Sequence, residues 1–253
     1  MSPDTHSTLR TLQQSTRIRR ILMDETTIPK RRQFLGTVAA SAVAFGLSGS
    51  LTKAFAATPA AGNDIQPSDK WLSAVTGKHK QLFDMPNHLN GMGLIHVRNY
   101  LNTLRDTYKV SHPEATAVVS LYGKSTLLGF NDAMWKKYGL GTVLKVNDAS
   151  NAPATSNVFY TAPAGATSMN LSGAPIPLPT DVSISALQQR GAVFIMCNNA
   201  FNLWMMLLSG GGDKMAAVRK DFEDNMVPGI FLVPAMVVAV NQAQMHGCTY
   251  MYL

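Results

Sequence analysis

Between Asp181 and Leu208 the chain reads DVSISALQQRGAVFIMCNNAFNLWMMLL, and the succession of residue types in this stretch decides the fold class. Asp181 suits a helix N-cap, and the helix it predicts runs through Gln189 and stops at Gly191. Ala192 to Met196 (AVFIM) is apolar without alternation, which is the pattern of a strand buried on both faces, and it ends at Cys197. Asn199 to Leu208 then reads as a strongly apolar helix. Helix, buried strand and helix in so few residues make up the repeating step of a parallel sheet.

The same alternation continues in both directions. Upstream, Gln81 to Asp84 predicts a short strand, and Leu94, Val97, Leu101, Leu104 and Tyr108 recur in steps of three and four, as on one helix face. Ala115 to Tyr122 (ATAVVSLY) predicts a second buried strand. Leu127, Phe130, Met134 and Tyr138 keep helical spacing up to Gly139, and Thr142 to Val146 predicts a further strand. Asp148 to Pro179 lacks periodicity and reads as a long loop excursion over 148–180, of a length that is usually functional or mobile. Downstream, Gly210-Gly211-Gly212 breaks the helix, and Asp213 caps the next, with Met215, Val218, Phe222 and Met226 on one face. Pro228-Gly229 turns into a strand at Ile230 to Val233, Ala235 to Met245 predicts a helix ended by Gly247, and Thr249 to Leu253 is the last strand. The expected fold is α/β: one domain over 71–253, with a mainly parallel sheet flanked by helices on both faces.

Composition narrows the function. The chain has 253 residues, 46% hydrophobic and 15% charged, with a formal charge of +7, which excludes disorder throughout. Two cysteines exclude a disulfide scaffold. Of 22 lysines and arginines, eight precede Ala57, as do three of the 15 acidic residues, so the balance is +5 before that point and +2 after it. The basic character is therefore concentrated in the leader, and the globular part carries no footprint for a phosphate backbone, which predicts no nucleic-acid partner. There are no internal repeats. Dinucleotide, phosphate-loop, zinc-protease and nucleophile-elbow motifs are missing, and no acid–base pair stands out, so hydrolase chemistry has little support and the residues leave open whether the chain is an enzyme.

Residues 1–56 read as a leader. Lys30-Arg31-Arg32-Gln33-Phe34-Leu35-Gly36 opens it, the run from Leu35 to Leu51 is mildly apolar and uncharged, and Ala54-Phe55-Ala56 closes it with a small-x-small pattern. This order resembles the twin-arginine (Tat) signal peptides, which implies recognition by the Tat machinery, export of the folded protein, cleavage near Ala56 and a periplasmic location. The alternative is a retained anchor, but the run of about 17 residues is short for a span and holds three glycines, so no stable membrane insertion is expected after cleavage. Ile230 to Val240 is too short for a second span, and Pro234 interrupts it. Residues 1–22 read as a start-site overcall or a disordered extension, with Met23-Asp24-Glu25 an ordinary start. Residues 57–70, rich in Ala, Pro, Gly and Asn, read as a flexible linker.

Cys197 is the candidate reactive group. It falls where a parallel strand ends and a helix begins, the place where open α/β sheets bind ligands. Helix-start N–H groups favour a thiolate there, and Asn198 and Asn199 add donors. The competing reading is a small buried apolar side chain. His79, His88, His96, His112 and His246 form no i, i+4 ligand pair and read as satisfied or solvent-facing. Of 14 methionines, all but Met1 and Met23 follow residue 56, and Met245-His246-Gly247-Cys248 is the densest soft-ligand run. A soft-metal site is the reading that run raises, but Met205, Met206, Met215 and Met226 fit as core filler, and no metal or cofactor is expected. Cys197 at the end of one strand and Cys248 at the start of another lie at opposite sheet edges if the strands are parallel, so no disulfide between them is expected.

Taken together, Leu187 to Cys197, Val227-Pro228-Gly229, Val233-Pro234-Ala235 and Gln242 to Tyr250 resemble the DsrE/DsrF-like superfamily of sulfur-oxidation and sulfur-relay proteins, and in particular its exported branch. The resemblance covers 181–253 well and 79–253 loosely. It implies a DsrE-like fold, a trimer or hexamer, and Cys197 as acceptor of a persulfide sulfur. A non-catalytic oligomeric or ligand-binding module is the alternative that the fold alone permits.

Overall fold

The computed structural model describes residues 66–161, 168–171, 174–177, 179–210 and 214–253, with backbone alone over the pieces between 168 and 177. Residues 1–65, which hold the expected leader with its arginine pair and cleavage pattern and most of the expected linker, lie outside the described residues, as do Gly211-Gly212 and the expected Asp213 cap.

Five strands form one sheet: β1 (His79–Met85), β2 (Ala115–Leu121), β5 (Val193–Cys197), β6 (Ile230–Val233) and β7 (Thr249–Tyr252), in the order β6-β5-β2-β1-β7. Every pairing is parallel. The fold is α/β, as expected. Each strand lies beside the one before it until β6, after which the chain crosses the sheet to place β7 next to β1.

Alternation along the strands separates two cores. Phe83, Met85, Val119, Leu121, Phe194 and Met196 face one layer. That layer holds α1 (Met92–Asp106), α2 (Asp132–Tyr138), α3 (Leu140–Leu144), α4 (Ile184–Gln189), α5 (Asn198–Ser209) and α6 (Met215–Asp224). Phe130, Phe201 and Phe222 stack at its centre, with ring centroids 4.5 to 6.0 Å apart. Leu82, Val118, Val193, Ile195, Cys197 and Val233 face the other layer, which is thinner. It consists of the 3-10 segment Pro67–Ala74, which buries Trp71 and Leu72, and α7 (Met236–Met245), which buries Met236, Ala239 and Ala243. β2, in the middle of the sheet, is buried at every residue, which explains its unbroken apolar run.

Several local expectations are corrected. Thr142 to Val146 is not a strand: α3 occupies Leu140–Leu144. Leu140 and Leu144 are one turn apart and both buried, while Val143 is exposed, so the true period begins two residues before the stretch that looked extended. Gly139, at φ 59°, ends α2 and lets α3 start at once. The helical spacing from Leu127 to Tyr138 is split into a 3-10 segment, Gly123–Gly129, and α2, whose cap is Asn131 accepting from the Met134 N–H. The cap of α4 is Ser183, whose Oγ accepts the Ala186 N–H at 3.1 Å, not Asp181. Tyr108 lies beyond the end of α1 and is exposed. Met226 lies beyond α6.

The 148–180 excursion contains structure that its composition hid. It holds an antiparallel hairpin, β3 (Ser168–Leu171) and β4 (Ala174–Pro177). Ahead of the hairpin, the buried Asn157 donates from Nδ2 to the Leu128 and Phe130 carbonyls, both at 2.7 Å, and accepts the Phe159 N–H at 3.0 Å. A side-chain amide thus ties the excursion to the turn before α2.

His88, just after β1, fastens α3. Its Nε2–H donates to the Leu144 carbonyl at 3.0 Å, and its Nδ1 accepts the Asn90 N–H at 3.1 Å, which requires the neutral ring. Burial holds the His88 pKa below its usual 6.5; the Leu144 carbonyl opposes this and the Lys124 charge adds to it. The sign follows: the unfolded chain takes up this proton near pH 6.5, while the folded chain resists it to a lower pH. The stabilisation is complete above 6.5 and is lost as pH falls from there through the folded value. Unfolding in denaturant should therefore show stability dropping from pH 7 to 5, with a shallower drop in His88→Gln, which can keep both bonds uncharged. Equal slopes would contradict this account of His88.

Candidate functional site at the carboxyl edge of the sheet

β1 carries an acid inside an apolar strand. Asp84 is only 6% exposed, and three hydroxyls rather than a cation fill its acceptors. Ser120 Oγ donates to Oδ1 at 2.8 Å, Tyr250 OH donates to Oδ2 at 2.6 Å, and Tyr122 OH donates to the same oxygen at 3.2 Å. Ser120 Oγ also accepts the Met85 N–H at 3.0 Å. The sheet makes this meeting possible: Asp84 is in register with Ser120 on one side and Tyr252 on the other, and the period of two puts Tyr122 and Tyr250 on the same face.

The phenols are held protonated. Burial raises the Tyr122 pKa, helped by the charge of Asp84 and the hydrogen bond to it. Tyr250 is pushed up to about 12, first by its bond to Asp84 and then by burial. Both therefore act as O–H donors at any ordinary pH.

Cys197 sits at the same edge and on the same face, two strands from Asp84. Leu121 pairs with Met196, so Tyr122 and Cys197 come next along their strands, and Tyr122 packs against the cluster that contains Cys197. The thiol is 6% exposed, and its sulfur accepts the Met236 backbone N–H at 3.4 Å. The donor thus comes from the first residue of α7. α5, which Cys197 itself caps, gives its side chain no capping bond. Asn198 is half-buried and Asn199 exposed, and no hydrogen bond among the described residues uses either side-chain amide. The neighbouring turn is firmly tied: Lys124 N–H and Ser125 N–H donate to the Pro86 carbonyl, and Trp204 Nε1–H donates to the Gly123 carbonyl at 2.5 Å.

Cys248 lies at the start of β7, parallel to β5 and separated from it by β2 and β1. Three strand spacings, roughly 14 Å, exceed the reach of a disulfide, about 7 Å. Both cysteines are free and buried, and burial raises the Cys248 thiol pKa. In the soft-ligand run, Met245 is exposed, His246 Nε2 is bonded to the Val75 carbonyl at 3.1 Å, and Cys248 is buried. Among the described residues no three His, Cys, Asp or Glu side chains gather to hold a metal ion.

Sequence reading reached Cys197 and its two asparagines but missed Asp84, Ser120, Tyr122 and Tyr250. One signal was present: an aspartate between Phe83 and Met85 in a buried strand requires partners, and Ser120 and Tyr122, at the carboxyl end of the ATAVVSLY stretch, were polar residues within reach. Comparison with family models, curated proteins and solved structures finds no match to this chain. No helix among the described residues is long and apolar enough to cross a membrane.

Removing one donor leaves Asp84 two others, whereas an amide at position 84 turns an NH2 towards hydroxyl donors. Tyr250→Phe should therefore cost about 1 kcal/mol, and Asp84→Asn roughly 1–3 kcal/mol. Urea unfolding checks the order, and an Asp84→Asn variant as stable as the parent would contradict the hub.

Proposed function

We propose that this chain is an exported, DsrE-like periplasmic protein that accepts and passes on a sulfur atom at Cys197. The observation that carries the reading is the seat of that thiol: the carboxyl end of a parallel strand, with a backbone N–H on its sulfur and two unengaged asparagine amides beside it. The transfer is an exchange without net redox. The Cys197 thiolate attacks the outer sulfur of a persulfide R–S–SH, the donor S–S bond breaks, and R–S⁻ departs and takes up the proton that the Cys197 thiol gave up. Cys197 then carries S–SH. Tyr122, with its hydroxyl donated to Asp84, packs uncharged against the cluster that holds Cys197.

A second reading, a non-catalytic oligomeric module, draws on a different observation. α5 exposes Leu203, Met206 and Leu207, while β6 and α7 expose Phe231, Leu232, Val238 and Val237, the last at 81%. Apolar area of this kind supports burial in a homo-oligomer, a trimer or hexamer by the same resemblance.

Incubation with a low-molecular-weight persulfide, followed by persulfide-selective tagging and peptide mass spectrometry, should place a 32 Da adduct, one sulfur, on the Cys197 peptide and none on Cys197→Ala. An unmodified Cys197 in a protein of trimeric or hexameric mass would favour the module instead. The export part rests on Arg31 and Arg32: replacing both with lysine should abolish the periplasmic fraction, and an unchanged fraction would refute Tat export.

A further inference from the structure

The opposite, amino edge of the sheet carries a second polar constellation that the sulfur chemistry does not use. Arg98 and Arg105 lie two turns apart on α1, and Arg190 follows α4. Two of the three guanidiniums are answered by carboxylates: Arg98 Nε meets Asp181 Oδ2 at 2.6 Å, and Arg105 reaches Asp106 at 2.7 and 3.0 Å. Arg190 is half-buried, and its guanidinium makes no hydrogen bond or ion pair among the described residues. Burial lowers its pKa, and the charges of Arg105 and Arg98 lower it further against the pull of Asp181 and Asp106. A half-buried cation beside two others, with no hydrogen-bond partner of its own among the described residues, gains from an anion that joins it.

Space for that anion is present. A cavity of about 240 Å³ opens between Arg105 and Arg190, with Ser111 and His112 on its polar side and Leu101 and Val110 in its apolar floor. The His112 ring packs on Gly191, where an added Cβ would fall 2.3 Å from Nδ1. The Arg105–Asp106 pair is exposed, and exposed pairs contribute little, so Arg105 is free to exchange partners.

We propose that this cavity is a binding site for a small organic oxyanion, a carboxylate or sulfonate with a short apolar body, gripped by Arg190 and Arg105. The forked guanidinium of Arg190 matches two oxygens of such a head group, and Leu101 and Val110 receive the tail. The volume falls below the usual range for drug-sized ligands, which limits the guest to a few carbons. The site lies a full strand length from Cys197 and does not depend on the sulfur-transfer reading.

Isothermal titration of the full chain with butanesulfonate and, separately, inorganic sulfate tests the proposal. Butanesulfonate should bind at millimolar or lower concentration and more tightly than sulfate, which lacks the tail. Arg190→Gln should weaken it about tenfold or more, Arg190→Lys should fall between, and Cys197→Ala should bind as the parent does. If Arg190→Gln does not fold, Arg105→Gln, at an exposed position, should show a loss of the same sign. Absence of butanesulfonate binding to the parent, equal binding by the glutamine variants, or sulfate binding as tightly as butanesulfonate would overturn the proposal.

Discussion

A carboxylate buried without a cation organises the carboxyl edge of this protein. Asp84 collects hydroxyls from β2, from the residue that follows β2, and from β7, and its own carbonyl accepts the Leu253 N–H at 2.9 Å. Hydrogen bonds to a charged acceptor are stronger than neutral ones. The register depends on them because β7 has only β1 for a neighbour and reaches it after crossing from the far edge. A slip of one residue would turn Tyr250 to the other face and leave the carboxylate short of a donor.

Strand direction then divides the chemistry. Because every pairing in the five-stranded sheet is parallel, one edge holds Cys197, the asparagine amides and the hydroxyl cluster, while the other holds Cys248, His112, Arg105 and Arg190. The thin layer matters here as well. α7 both covers the sheet face through Met236, Ala239 and Ala243 and sends its first N–H to the Cys197 sulfur, so packing of that helix sets the environment of the thiol. Its outer residues Val237 and Val238 remain uncovered.

Most strands were legible because buried parallel strands are apolar throughout: AVFIM and ATAVVSL announced themselves, and Ile230 to Val233 matched residue for residue. Short helices were not, since five residues such as Leu140–Leu144 hold too little of a 3.6-residue period to separate from a strand. The 148–180 segment misled because its order rests on contacts that only the fold brings together: the Asn157 amide bonds the Leu128 and Phe130 carbonyls, and the Phe159 and Tyr160 carbonyls accept the Ile184 and Ser185 N–H groups. The site was half legible. Cys197 is marked by its place at a strand end, whereas Asp84 and Tyr250 are 166 residues apart and meet only because β7 pairs with β1.

The central claim is that the seat of Cys197 makes it the chemically capable thiol of this chain. Native-state alkylation followed by peptide mass spectrometry addresses it directly. The account predicts that Cys197, with a backbone N–H on its sulfur, reacts before Cys248, whose pKa burial raises, and that the difference disappears on unfolding. Equal protection of both cysteines until the protein unfolds would contradict the claim and leave Cys197 as a core side chain.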